Sequence, residues 1–120
     1  VVCRATQKVF SPKYARQNGA GVYTLWNKVE QCHDYVGEGQ FKSREMKHRN
    51  PLPYSSSTPN EVKLHVWLDG FDNVYEFKQL VKCDNKKQRG ILETKYITEL
   101  KPRYNNWKVK DKRKRQYEVE

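Results

Sequence analysis

The stretch QLVKCDNKKQRGILETK, residues 79–95, carries the most informative local pattern in this chain. An apolar run at 80–83 and a second run at 91–97 are separated by the polar residues Asp84 to Lys87 and by Gly90. Two apolar runs joined by a polar turn are typical of a β-hairpin. We therefore predict that this part of the chain forms two strands of an antiparallel sheet.

The segments that precede this hairpin predict one helix and further strands. Ser11 and Pro12 are typical of a helix N-terminus, and apolar residues recur at helical spacing afterwards, so we predict a helix over 12–30. Short runs at 1–3 and 8–10 predict a small hairpin before it. Alternation over 62–68 predicts a strand, and 41–46 a short one. The expected fold is α+β, with one N-terminal helix packed on a curved antiparallel β-sheet and preceded by a small β-hairpin.

Length and composition predict a single small domain with an aromatic core. The chain has 120 residues, of which 36% are hydrophobic, and it contains eight Tyr, four Phe and three Trp. Because aliphatic residues are scarce, aromatic side chains must supply much of the core. We expect the domain to span 1–100, followed by a basic C-terminal extension at 101–120. The region at 50–60 is rich in Pro and Ser and predicts a mobile surface loop.

Positive charge is concentrated at the C-terminus. The formal net charge is +10, and residues 101–120 contain eight basic and three acidic side chains. Such a segment attracts polyanions, and aromatic neighbours can stack on bases. The candidate RNA-binding residues are therefore Trp107, Lys108, Lys110, Lys112, Arg113, Lys114 and Arg115. A solvated tail without a ligand accounts for the same composition, and the block KDKRKR also resembles a nuclear-targeting patch.

The cysteines allow one disulfide but no metal site. Cys3, Cys32 and Cys83 permit three pairings, and we predict a bridge between Cys3 and Cys83 that ties the first β-run to the hairpin. Cys32 and His33 are an isolated adjacent pair without the spacing of metal ligands. We predict no metal and no cofactor. A disulfide, together with a start at Val1 without Met, predicts a secreted protein whose signal peptide has been removed.

The hairpin and the segment KLHVWLDGFDNVY (63–75) together resemble the microbial guanyl-specific ribonucleases, with Trp67 at the position of a tryptophan in that family. A branch of that superfamily, the secreted ribonuclease-like effectors of powdery mildew fungi, is similar in two further places. Val1-Val2-Cys3 stands where those effectors have an aromatic-x-Cys motif, and Phe10-Ser11-Pro12 resembles the start of their helix. The resemblance covers about residues 1–98 and implies a ribonuclease-like fold.

The same resemblance implies that the catalytic set is degenerate. RNA cleavage in this class needs a general base, a general acid and cations for the phosphate charge. The matched positions carry residues that cannot perform these roles: Ser43, Val66, Gln79 and Thr94. A register shift of one residue would put His65 or Glu93 near these catalytic positions. A relocated pair, His65 with Glu93 or with Glu76, is therefore kept as an alternative. His48 is expected on a basic surface, and Glu93 is expected to pair across its strand.

The resulting prediction is a pseudo-ribonuclease that acts as a non-catalytic, secreted fungal virulence (avirulence) effector. It would enter the cytoplasm, or the nucleus, of a plant host cell and bind RNA or host proteins, including intracellular immune receptors. We expect a monomer without membrane association. Contact residues would come from the 50–60 loop and from Tyr54, Phe71 and Tyr75, the last two having a core position as an equal alternative. A general nucleic-acid-binding module and an active secreted ribonuclease are the alternative functions.

Overall fold

The protein was analysed as a computed structural model that describes residues 18–105. Within this range the strands are β1 Ala20–Asn27, β2 Cys32–Gln40 and β3 Tyr75–Lys82. The helices are α1 Phe41–Arg49, α2 Asn60–Asp69, α3 Phe71–Val74 and α4 Lys86–Leu100. None of these helices is long and apolar enough to cross a membrane.

The three strands form one antiparallel sheet in which β1 lies in the centre. The strand order is β2-β1-β3, and Tyr23 of β1 lies opposite Gly37 on one side and Gln79 on the other. The helices α1, α2 and α3 enclose the main core against one face of the sheet, and the opposite face carries a smaller cluster with α4. The main core holds six aromatic residues, as the composition predicts: Tyr23, Tyr35, Phe41, Phe71, Tyr75 and Phe77.

The predicted helix at 12–30 is wrong where the structure describes it, because residues 20–27 form the central strand. Seven of the eight residues of β1 are buried. A strand covered on both faces shows no alternation of apolar and polar residues, so its apolar positions can match a helical spacing by chance. The predicted small hairpin at 1–3 and 8–10 lies outside the described residues.

The predicted strands at 91–97, 62–68 and 41–46 are also wrong, because all three segments are helical. In α4 the buried side chains are Glu93 and Ile97, four positions apart, and the Asn85 side chain caps the helix by accepting a hydrogen bond from the Gln88 amide. In α2 the buried apolar residues are Val62 and Val66, again four apart. The alternation over 62–68 was misleading because Leu64 and Leu68 are exposed.

The predicted layout, with one N-terminal helix and four following strands, is therefore wrong. The described chain is a small α+β unit that begins with a strand, and its helices follow β2 and β3. The packed unit also continues past residue 100. The backbone amides of Arg103 and Tyr104 donate to the carbonyl oxygens of His33 and Asp34 on β2, and the Asn105 side chain bonds both backbone groups of Val36.

The central strand requires glycine at position 21. A Cβ atom there would overlap the carbonyl oxygen of Val81 and lie 2.9 Å from the Cα atom of Lys82, and neither backbone atom can rotate away.

We expect Gly21→Ala to lower the free energy of unfolding by about 3 kcal/mol, measured by urea denaturation. The matched control is Gly90→Ala in α4, where a Cβ meets nothing within 4 Å, and this change should stabilise by about 0.5–1 kcal/mol. Equal effects of the two substitutions would contradict the packing of β1 against β3.

Candidate active site

Two tyrosines from neighbouring strands meet a histidine from α1 inside the protein. The ring centroids of Tyr23 on β1 and Tyr35 on β2 are 6.3 Å apart. The His48 ring lies 5.6 Å from the Tyr23 ring and 5.4 Å from the Tyr35 ring. All three side chains are buried, so the prediction that His48 belongs to a basic surface is wrong. Helix α1 places its His48 face against the sheet.

A chain of hydrogen bonds passes through the imidazole of His48. The hydroxyl oxygen of Tyr23 is 2.7 Å from the Nε2 atom of His48. On the far side of the ring, the Nδ1 atom is 2.9 Å from the Oγ1 atom of Thr58. Thr58 belongs to the segment between α1 and α2, and it is only 2% exposed. The imidazole is therefore held at both nitrogens, which fixes the orientation of its ring.

Gly37 makes room for the Tyr23 hydroxyl. A Cβ atom at this position would collide with that hydroxyl and lie 2.8 Å from the Cε2 atom of Tyr35. Gly37 lies opposite Tyr23 in the pairing of β1 with β2. The absence of a side chain at Gly37 thus lets the phenol lie against the backbone of β2, between that strand and His48.

Arg44 brings a positive charge to the same phenol. Its side chain passes over Gly39, where a Cβ atom would lie 3.1 Å from the Arg44 Cγ atom. The positive charge of the guanidinium group acts on Tyr23 and opposes the rise of its pKa. The Arg44 Nε atom is buried and has no hydrogen-bond partner among residues 18–105. Arg44 therefore combines a charge that acts on Tyr23 with a donor that remains available to a ligand.

Glu93 is a second charged residue that acts on this phenol. Its side chain is 8% exposed on α4, so the prediction that it pairs across a strand is wrong. Burial is the main cause that raises the pKa of Tyr23 well above its ordinary value, and Tyr35 and Glu93 add to this rise while Arg44 opposes it. Tyr23 is therefore a neutral phenol at neutral pH, and its proton is available for a hydrogen bond.

The donor set fits a divalent cation held by few protein ligands. Within the described residues no group of three or more His, Cys, Asp or Glu side chains could hold a metal ion. Magnesium, however, is commonly held by one or two carboxylates together with water and substrate phosphates. Glu93 is a carboxylate of this kind. Cys32 and His33 do not form a site, because they contact Asp34 and Thr24 respectively.

The positions predicted to be degenerate catalytic residues lie in unrelated environments. Val66 is part of the core, Ser43 and Thr94 are exposed on different helices, and Gln79 lies on β3. His65 packs edge-on against Tyr75, with ring centroids 6.2 Å apart. Of the predicted contact residues, Tyr54 is exposed, whereas Phe71 and Tyr75 are buried. The candidate RNA-binding residues from Trp107 to Arg115 lie outside the described residues.

The cysteines add nothing to this site. Within residues 18–105, Cys32 and Cys83 do not form a disulfide with each other. Cys3 lies outside the described residues, so the predicted Cys3–Cys83 disulfide stays a prediction.

The 50–60 segment, predicted to be a mobile loop, is hydrogen-bonded to α2. Lys63 donates to the carbonyl oxygens of Pro53 and Ser55, and the Trp67 indole donates to that of Pro51.

A buried carboxylate on β2 fastens the C-terminal end of the described chain to the sheet. The carboxyl group of Asp34 accepts hydrogen bonds from Asn27, Tyr75 and Arg103, the last at 2.7 Å. Burial by itself raises the pKa of Asp34, but these three hydrogen bonds outweigh it and hold the pKa below its ordinary value. The group therefore stabilises the fold in its ionised form.

Because the pKa of Asp34 is lower in the folded state, ionised Asp34 adds to the free energy of unfolding. This contribution is fully present above the unfolded-state pKa of about 3.9, and it disappears as the pH falls through the pKa of the folded state. We expect Asp34→Asn to lower the free energy of unfolding by about 3 kcal/mol at pH 7, since it removes the charge that pairs with Arg103 and replaces one of the two acceptor oxygens by an NH₂ donor. Below pH ~4 the difference from the wild type should shrink. Urea denaturation at several pH values measures the difference in unfolding free energy between Asp34→Asn and the wild type. The control is Asp84→Asn, at an exposed position. A difference that stays constant with pH would contradict this account.

Comparison with known proteins identifies a fold but not a family. No protein-family model and no curated protein matches the chain. A solved structure does match: the GIY-YIG N-terminal endonuclease domain of UvrC from Thermotoga maritima, a point mutant bound to its catalytic divalent cation. The match has a TM-score of 0.51 and 22% sequence identity, and it covers 79% of this chain and 97% of that domain. At this identity the likeness shows the fold alone.

The likeness corrects the resemblance on which the functional prediction rested. The fold is that of the GIY-YIG domain and not that of the guanyl-specific ribonucleases. The predictions of a pseudo-ribonuclease and of a non-catalytic effector are therefore wrong, because they assigned roles by a ribonuclease pattern that this chain does not adopt. Its structural neighbour is an endonuclease domain.

The name of that domain points to a sequence signal that the sequence analysis missed. The tripeptides Gly-Ile-Tyr and Tyr-Ile-Gly have counterparts in this chain, Gly21-Val22-Tyr23 on β1 and Tyr35-Val36-Gly37 on β2. Valine replaces isoleucine in both. The two tripeptides meet at the Tyr23–Gly37 pair and contain both tyrosines that contact His48. The chain thus has the GIY-YIG fold. Its two tripeptides supply the phenol on which the charges of Arg44 and Glu93 act.

Proposed function

We propose that this protein is an endonuclease that hydrolyses phosphodiester bonds of a nucleic acid with the help of a divalent cation. The observation that carries the proposal is the hydrogen bond between the buried Tyr23 hydroxyl and His48, next to the charges of Arg44 and Glu93. The fold, shared with an endonuclease domain, supports the same class of reaction. Fold alone does not imply function, so the proposal rests on the residues of the site.

Hydrolysis needs a group that removes a proton from the attacking water. Tyr23 is a neutral phenol and a weak base, so it can accept that proton only if it gives up its own. The Nε2 atom of His48, 2.7 Å away, is placed to receive it. The water proton then moves to the Tyr23 oxygen while the Tyr23 proton moves to His48. The water oxygen bonds to phosphorus, and the bond from phosphorus to the leaving oxygen breaks.

Negative charge that develops on the phosphate needs positive partners. Arg44 is one of them, because its buried Nε donor has no partner in the described chain. Glu93 is the residue that would hold the divalent cation, which supplies charge stabilisation at the phosphate and leaving group when bound. Tyr23 together with His48 therefore provides the proton acceptor, Arg44 the cationic side chain and Glu93 the ligand for the cation.

The charge of the chain supports a nucleic acid as the substrate. A net charge of +10 attracts polyanions, and the basic residues from Lys108 to Arg115 contribute six of the positive charges. We therefore keep the binding of nucleic acid through these basic residues as a proposal. The predicted host-receptor partner, the secreted origin and the host-cell location are not tested by the fold and stay predictions.

The proposal is tested by a cleavage assay on four substrates: supercoiled plasmid, double-stranded DNA, single-stranded DNA and structured RNA. We expect cleavage of at least one of them in the presence of Mg²⁺ or Mn²⁺ and none in the presence of EDTA. Protein of the Glu93→Gln variant, purified in parallel, reports any contaminating nuclease. Intact substrates in every combination of nucleic acid and cation would refute the proposed function.

A further inference from the structure

The far side of the His48 ring contacts a residue that has no place in the reaction described so far. The Oγ1 atom of Thr58 lies 2.9 Å from the Nδ1 atom of His48, and both side chains are buried. A buried hydrogen bond to an imidazole selects which of its nitrogens carries the proton. Thr58 therefore acts on the same histidine that is proposed to receive the Tyr23 proton.

The charge near Tyr23 favours one direction for its bond with His48. The positive charge of Arg44 acts on the phenol and favours release of its proton, so the hydroxyl is the donor of this pair. The acceptor is the Nε2 atom of His48, 2.7 Å from the Tyr23 oxygen. A neutral imidazole that accepts at Nε2 must carry its proton at Nδ1. That proton points at Thr58, whose hydroxyl oxygen accepts it.

The position of Thr58 is in turn set by α2. The Lys63 side chain is 3% exposed and its ammonium group donates to the carbonyl oxygens of Pro53 and Ser55. The backbone amide of Lys63 donates to the carbonyl oxygen of Pro59, the residue after Thr58. These contacts hold the segment on both sides of Thr58, so its hydroxyl is presented to His48 by a fixed part of the fold.

We propose that Thr58 is a positioning residue that holds His48 in the tautomer protonated at Nδ1 and so keeps Nε2 ready to accept the Tyr23 proton. The catalytic part of this inference rests on the proposed nuclease function. The tautomer itself does not, because it follows from the hydrogen bonds of the folded protein alone.

The tautomer is measured by long-range ¹H–¹⁵N NMR of the imidazole nitrogens, which distinguishes protonated from unprotonated nitrogen. In the wild type we expect the signal of His48 to show a proton at Nδ1, and Thr58→Ser should keep it. Thr58→Val has the same shape but no acceptor, so the proton should shift toward Nε2 and give a mixture. A wild-type His48 protonated at Nε2, or an unchanged tautomer in Thr58→Val, would overturn the inference.

Kinetics test the consequence for catalysis. We expect Thr58→Val to lower kcat about tenfold with KM unchanged, and Thr58→Ser to restore kcat to near the wild-type value. The control is Ser56→Ala, an exposed position in the same segment. If kcat in Thr58→Val equals that of the wild type while the tautomer changes, the positioning role is refuted. A wild type without nuclease activity refutes the proposed function instead, and the NMR result still decides the tautomer.

Discussion

Replacing Glu93 by glutamine is expected to reduce kcat for phosphodiester hydrolysis by about a thousandfold or more, because the neutral amide holds a divalent cation poorly. Glutamine has nearly the same shape as glutamate, and the Glu93 side chain lies on the buried side of α4 with 8% of its surface exposed. The fold should therefore survive, and circular dichroism and thermal unfolding check this. Cleavage rates with Mg²⁺ and with Mn²⁺ provide the measurement.

The matched control for this experiment is Glu99→Gln on the same helix. Glu99 is exposed, so its substitution removes the same charge from the surface without touching the site. Titration of Mn²⁺ by calorimetry should show binding to the wild type and to Glu99→Gln, and a loss of binding in Glu93→Gln. Cleavage by Glu93→Gln within tenfold of the wild-type rate would exclude Glu93 as the cation ligand.

Tyr23→Phe is expected to lower kcat by about a hundredfold or more, which is the usual contribution of a positioned proton-transfer group. The substitution removes only the hydroxyl that contacts His48. The Nε2 atom of His48 then loses its bond to Tyr23 inside the protein, so the free energy of unfolding should fall by about 1–3 kcal/mol. Stopped assays at saturating substrate and urea denaturation measure the two effects. Tyr54→Phe, at an exposed position, is the control.

A double variant shows whether Tyr23 and His48 act as one unit. If the proton passes from Tyr23 to His48, either single substitution breaks the same path. Tyr23→Phe combined with His48→Ala should then be about as slow as the slower single variant. Effects on kcat that multiply would mean that the two side chains act independently, which contradicts the proposed proton route.

The sequence patterns located several elements of this fold but predicted the wrong type for four of them: a helix at the strand β1, and strands at the helices α1, α2 and α4. Local periodicity separates helices from strands only when one face of the element is exposed. The segment at 20–27 is buried on both faces as the middle strand, and its apolar residues were assigned to a helix. In α2 the exposed Leu64 and Leu68 completed an apparent alternation. In both cases the tertiary packing, rather than the local pattern, determined the structure.

The site was harder to predict, because its residues come from distant parts of the chain. Tyr23 and Tyr35 meet through strand pairing, His48 and Arg44 arrive on α1, and Glu93 comes from α4. The sequence analysis expected Glu93 to pair across a strand, or with His65 in a relocated active site, and it gave Arg44 no role in a site. The two tripeptides with Gly and Tyr were the one signal that could have located the site before the fold was known.

Composition alone determined that the chain attracts polyanions and that its core is aromatic, because net charge and the supply of large apolar side chains do not depend on how the chain folds. The tertiary structure decided which residues can act together. Only the pairing of β1 with β2 and the packing of α1 against the sheet bring the phenol of Tyr23 into contact with the imidazole of His48, where the charges of Arg44 and Glu93 also act on the phenol. Their chemistry depends on distances of a few ångströms between residues far apart in sequence, and these distances are set by packing.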